Sequence, residues 1–236
     1  MYEDFAQLHF RYARRVQAVT GLPLRTALAE WTPAARMAGD WWPASAVIPG
    51  AVIPGALSPG ALSPAALAGA YTRRAGLFPT GPGVSCFRVA AESGETVLRL
   101  HFGNAEGRGV LSAARLPQRR AELAEVLAAA IRRYPRARTV RGGSWLYHLP
   151  AYRSLFPASL LATAAAADPA EELRYMALWG QFVRGDMELY RPRVARFEAA
   201  ITAARDRQAL LATFPLAKLD WQGPAAELLA FLRESA

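Results

Sequence analysis

Residues 96–102 read Thr-Val-Leu-Arg-Leu-His-Phe, and residues 118–134 read QRRAELAEVLAAAIRRY. The first stretch alternates apolar and polar residues with period two, the mark of a strand with one buried face. The second repeats its apolar residues with a helical period, placing Leu123, Val126, Leu127, Ala130 and Ile131 on one stripe. Arg132 and Arg133 suit the C-terminal end of its dipole, and Pro135 stops it. Residues 138–142 then read as a short strand. A helix of this length is long enough to carry the chain between two parallel neighbours. Upstream, Ser85 to Ala91 alternates as well, and Ser93-Gly94 is a turn signal, so residues 85–102 are expected to form a hairpin.

Before this unit lie two expected helices. Phe5, Leu8, Tyr12, Val16 and Val19 form a stripe over 4–19, which Gly21 ends. Leu24, Ala27, Leu28 and Trp31 form another over 23–37, and the short link between the two predicts a helical hairpin. From Ala46 five pentads follow in register, AVIPG, AVIPG, ALSPG, ALSPA and ALAGA. A proline every fifth residue blocks helix and central strand alike, so this stretch reads as a surface loop. After the sheet the chain reads as mostly helical. Asp168-Pro169-Ala170-Glu171 opens a helix expected to reach Val183, with further helices over 192–213 and 224–234.

The fold expectation is therefore α+β, with a helical hairpin in 1–40, a Pro/Gly pentad loop in 41–82 and an α/β core with a helical C-terminal part in 83–236.

The chain has 236 residues, 53% of them hydrophobic and 20% charged, a composition that supports a packed core rather than disorder. Its formal net charge is +9. Lys218 is the only lysine, so the positive charge is almost entirely arginine, which together with abundant Ala, Gly and Pro resembles the codon usage of a GC-rich genome. Nucleic-acid binding through Arg119, Arg120, Arg132, Arg133, Arg136, Arg138 and Arg141 is a third reading, and it requires those side chains to share one face. Cys86 stands alone, which excludes an intrachain disulfide. The acidic opening Met1-Tyr2-Glu3-Asp4 does not resemble a signal peptide, and no apolar run reaches the ~20 residues of a membrane helix. The expectation is a cytoplasmic protein.

The densest chemistry lies in residues 141–157, RGGSWLYHLPAYRSLFP. Ligands of open α/β sheets bind beyond the carboxyl ends of strands, and this segment follows one directly. Ser144, Trp145, His148 and Arg153 are candidate ligand-binding residues there, with Gln181 of a later Trp-Gly-Gln-Phe cluster. The competing reading is that Trp145, Leu146, Leu149, Leu155 and Phe156 only fasten the segment to the core. His101, at the end of its strand, is a candidate general base, and Tyr147 or Tyr152 a candidate acid. Gly107, Arg108, Gly109, Arg119 and Arg120 are candidates for holding a phosphate ahead of the helix. The three histidines lack metal-ligand spacing, and no metal is expected. Gly-x-Ser-x-Gly, Walker A and Rossmann fingerprints are absent.

Read together, the strand ending in His101-Phe102, the helix, the second strand, SWLYHLPAYRSLFP and LWGQF resemble a family of uncharacterised bacterial proteins. These share an SWLYN box, an AYRRLFP-like continuation and a Trp-Gly-Gln-Phe box. TGLPLRTALAEWT, residues 20–32, is similar to that family's N-terminal segment, and His148 stands where the family has Asn. More distantly, the strand–helix–strand order resembles GNAT-superfamily N-acyltransferases. That resemblance implies an acyl-CoA cosubstrate held between splayed strands, with its pyrophosphate at the helix N-terminus. The loop GNAEGRGVLSAARLPQRR carries glycines and arginines but not the Arg/Gln-x-x-Gly-x-Gly/Ala motif of that family. The leading expectation is a GNAT-like acyltransferase or acyl-CoA-binding protein. The alternative is a non-enzymatic module that binds a ligand or partner.

Overall fold

A computed structural model describes residues 2–34, 63–75, 85–92, 94–106, 109–184 and 188–234. The protein is a mixed α+β structure. Its contacts divide it into two compact units, residues 1–78 with 168–215, and residues 79–167 with 216–236. The helices expected after the sheet therefore split: Asp168–Pro215 belongs with the N-terminal helices, and only the last helix stays with the sheet.

The first unit is helical. It holds α1 (Glu3–Thr20), α2 (Leu24–Trp31), α3 (Pro64–Ala75), α4 (Pro169–Glu172), α5 (Met176–Trp179), α6 (Arg191–Ala203) and α7 (Arg207–Leu211). Gly21 ends α1 at φ 75°, a left-handed conformation that glycine adopts without steric cost. The expected helix 23–37 is described to Trp31, and residues 35–37 lie outside the described residues. α3 corrects the loop expectation: the last pentads, free of the Pro-Gly repeat after Pro64, form a helix that buries Leu67 and Tyr71. The earlier pentads lie outside the described residues. The single helix expected over 169–183 is broken. Asp168 caps α4 through the Ala170 N–H at 2.8 Å, but the Leu173 carbonyl accepts the Trp179 indole N–H at 2.8 Å, and Gly180 opens a 3-10 turn. The helix expected over 192–213 breaks at Ala204, where Asp206 caps α7 by accepting from the Ala209 N–H. The core packs Phe5, Tyr12, Trp31, Trp179, Phe182 and Phe197 together.

The second unit is a five-stranded mixed sheet. Its strands are β1 (Phe87–Ala91), β2 (Val97–Phe102), β3 (Thr139–Ser144), β4 (Ala165–Ala166) and β5 (Leu219–Pro224), in the order β1-β2-β3-β5-β4. β1 and β2 form the expected antiparallel hairpin, and β2 runs parallel to β3 through α8 (Leu116–Arg133), as the sequence predicts. β5 lies antiparallel between β3 and β4. The short helices α9 (Pro150–Arg153) and α10 (Ala158–Leu161) follow β3, and α11 (Ala225–Glu234) follows β5.

One face of this sheet carries Phe87, Leu98, Leu100, Val140 and Trp221, packed with Leu123 and Leu127 of α8 and Leu228 and Leu232 of α11. By strand alternation the other face carries Arg88, Arg99, His101, Arg141, Gly143, Asp220 and Gln222. No helix among the described residues is long and apolar enough to cross a membrane.

Candidate functional site

The ladder between β2 and β3 runs from Val97↔Thr139 to Leu100↔Gly142 and ends there. Both strands continue for two residues, but with other partners. His101 and Phe102 pair with Arg88 and Phe87 of β1, while Gly143 and Ser144 pair with Asp220 and Leu219 of β5. The carboxyl ends of the two parallel strands thus leave each other's ladder. The Gly103 N–H donates to the Cys86 carbonyl of the β1 side at 2.8 Å. By alternation, the N–H and C=O of Leu100 and Phe102 turn the opposite way, toward β3.

His101 sits at this divergence on the open face. Burial, first, and then the positive charges of Arg99 and Arg88 lower its pKa below the ordinary 6.5, with Glu92 acting against them. It is therefore a neutral imidazole near pH 7. Glu92 ion-pairs with Arg141 at 2.5 Å and with Arg99 at 3.7 Å.

Tyr147 and Tyr152 lie on the helical side and are 1% and 2% exposed. Their rings are 5.0 Å apart within a cluster containing Phe102, Phe156 and Trp221. Burial raises the pKa of both phenols, so both keep their protons throughout the physiological range. The cluster dictates the first glycine of the Gly-Gly pair. A Cβ at Gly142 would overlap the Tyr147 hydroxyl and come within 2.9 Å of Trp221 Nε1.

The other expected residues fall in several places. Ser144 ends β3 and accepts the Leu146 N–H at 3.1 Å, starting the 3-10 turn Trp145–His148. Trp145 is half-buried, and His148 is exposed and donates through Nε2 to the Ala217 carbonyl at 3.0 Å. Arg153 is exposed on the following helix. Gln181 belongs to the other unit, where it is fully buried and donates to the Leu178 carbonyl at 2.9 Å. Arg119 is also fully buried. Its guanidinium meets Glu106 at 2.7 Å and Glu122 at 3.0 Å, and donates to Cys86 Sγ at 2.6 Å. Its charge is thus already met by two carboxylates inside the protein. Arg120 donates to the Ser154 carbonyl and lies over the Phe231 ring. Gly109, at φ 73°, serves a turn before α8, and Gly107 and Arg108 lie outside the described residues. The arginines named for nucleic acid do not share a face: Arg119, Arg120, Arg132 and Arg133 belong to α8 on the packed side, and Arg141 to the open side.

Sequence reasoning missed Lys218 and Asp220. The lysine is 4% exposed, and its Nζ lies 2.8 and 3.0 Å from the two carboxylate oxygens of Asp220. Both crowd Gly143, where a Cβ would overlap Asp220 Oδ1 and stand 2.6 Å from Lys218 Cε. The sole lysine in an arginine-rich chain was the available signal. His9 is fully buried among Phe5, Tyr71 and Trp179.

A cavity of about 560 Å³ opens between β1 and α8, lined by Val89, Glu122, Glu125, Val126, Arg133 and Tyr134. It lies on the packed side, away from His101. Among the described residues no group of three His, Cys, Asp or Glu could hold a metal ion. No family model matches the chain, and neither a curated protein nor a solved structure matches it.

Proposed function

We propose that this protein binds an acyl-CoA between the parting ends of β2 and β3 and transfers its acyl group to an amine. The observation that carries this reading is the end of the β2–β3 ladder at Leu100↔Gly142 while both strands run on. A pantetheine arm is an extended chain with two amides. It can add between such strands as a short extra strand, exchanging hydrogen bonds with backbone groups such as those of Phe102. The resemblance to the GNAT superfamily points the same way.

In the reaction the amine lone pair attacks the thioester carbonyl. His101, neutral at pH 7, takes the N–H proton as the C–N bond forms. The tetrahedral intermediate then collapses, the C–S bond breaks, and the leaving thiolate takes from His101 the proton it had removed from the amine. The products are an amide and free CoA thiol. Tyr147 and Tyr152 remain protonated and hold the floor of the site through the aromatic cluster. Arg119 is already occupied by Glu106 and Glu122, so the phosphates fall to Arg120 and the turn at Gly109.

Isothermal titration with acetyl-CoA and with longer acyl-CoAs tests the binding step. Saturable heat with one site per chain is the expected result. No heat at millimolar ligand would leave the alternative, a non-enzymatic module. His101→Gln is expected to retain acyl-CoA binding and to lower kcat by about 10²–10⁴, the ordinary contribution of a general base. In the unsubstituted protein, the acid limb of kcat/KM is expected to fall below pH 6.5, because the free-enzyme pKa of His101 is lowered. Unchanged turnover in the variant would remove that role.

A further inference from the structure

The open face holds an arrangement that folding alone does not favour. Arg99 and Arg141 are direct partners on adjacent strands and lie on the same face. Like charges placed opposite each other in a sheet are destabilising. Arg88 is the β1 partner of His101, and its charge acts on His101 together with those of Arg99 and Glu92. Glu92 is the carboxylate that ion-pairs both Arg99 and Arg141. Both of those arginine side chains remain 43% exposed, and Glu92 is 23% exposed. Among the described residues, the guanidiniums of Arg99 and Arg141 share the single carboxylate of Glu92, which leaves one positive charge in excess beside the proposed base. Asp220 on β5 and Lys218 just before that strand cancel each other and add nothing to it.

We infer that Arg99 and Arg141 form a subsite for a carboxylate carried by the amine that accepts the acyl group. The inference rests on the acyl-transfer reading for the word acceptor, and on the arginines alone for the carboxylate. Glu92 indicates the chemistry: the pair already takes up one carboxylate of the chain. Guanidinium forks match carboxylates in shape as well as charge. An α-amino acid or a short peptide held there by its carboxylate would bring its amine close to His101.

The test is a titration of the full chain with N-acetylglycine, followed by NMR through the ring C–H signals of His101. Those signals are assigned by their loss in His101→Gln. N-acetylglycine is expected to shift them saturably, and glycinamide, which lacks the carboxylate, is expected not to. Arg141→Gln should weaken N-acetylglycine binding at least tenfold. Glu92→Gln removes the internal competitor and should tighten binding at least threefold, a gain that misfolding cannot imitate. Equal shifts from glycinamide, or a Glu92→Gln variant that binds no tighter, would overturn the subsite. Acetyl transfer is then measured with glycylglycine and with tyramine. Carboxylate binding without any transfer would uphold the subsite and sink the acyl-transfer reading. Transfer at equal kcat/KM to both amines would uphold transfer and sink the subsite.

Discussion

Gly142 shows how one residue type can be dictated from across a packed layer. Its missing Cβ makes room for the Tyr147 hydroxyl and the Trp221 indole. Gly142→Ala is therefore expected to destabilise the sheet unit by about 1–3 kcal/mol, as overpacking does. Tyr147→Phe in the same chain should recover part of the loss, because it removes one of the two clashing groups and leaves Trp221 in place. Urea midpoints of the two single variants and the double variant would measure the coupling. The Gly-Gly pair is visible in the sequence, but the groups that crowd it are not. Tyr147 and Tyr152 drew notice for their polar tips, and the structure places them by their rings. The pairing of Lys218 with Asp220 across Gly143 was illegible, because the two segments meet only through the pairing of β3 with β5.

At the scale of the element, α1 carries a titratable group on its buried stripe. His9 Nδ1 shares a hydrogen bond with the Tyr71 hydroxyl, and burial lowers the imidazole pKa to about 3. The unfolded chain takes up a proton near 6.5, whereas the folded helix refuses it until about 3. Stability is thus fully present above pH 6.5 and is lost as pH falls through that window. The loss approaches 1.4 kcal/mol per pH unit, or roughly 2 kcal/mol by pH 5. His9→Phe keeps a ring in the cage and removes the titration. Its urea midpoint, read by tryptophan fluorescence, should change less between pH 7.5 and 5 than that of the unsubstituted chain. An equal change would place the acid sensitivity elsewhere. The helices with strong periodicity, α1 and α8, were legible nearly to the residue. β5 was not, since Leu219–Pro224 contains Asp, Gly and Pro, all poor strand formers, and is a strand only because β3 and β4 flank it. The break at Ala204 could have been read from Asp206, an N-cap residue three positions before Ala209.

The whole molecule is two cores threaded by one chain. Composition and periodicity reveal apolar faces, but not which faces meet, so the grouping of Asp168–Pro215 with the first helices was beyond the sequence. The chain leaves the sheet unit after Ala167 and returns at Leu216, yet the Ala167 N–H donates to the Lys218 carbonyl at 2.9 Å. The two ends of the excursion are hydrogen-bonded neighbours in an antiparallel pair, and an Asn-Gly turn joins such strands without strain. Replacing residues 168–217 by Asn-Gly in a chain beginning at residue 79 is expected to give a sheet unit that unfolds cooperatively on its own. Broad melting with exposed apolar surface would show that the sheet depends on the helical unit.

The order of strands also sets a timetable. β5 is an interior strand, but it is translated after every helix of the first unit. While the ribosome works through residues 168–215, β3 has one flank open and β4 has no neighbour at all. The sheet cannot complete its strand order until β5, the last strand made, is available. In a cell, slow passage through the codons before residue 216 would prolong the exposure of a bare strand edge. Synonymous changes there should alter yield without altering the finished protein.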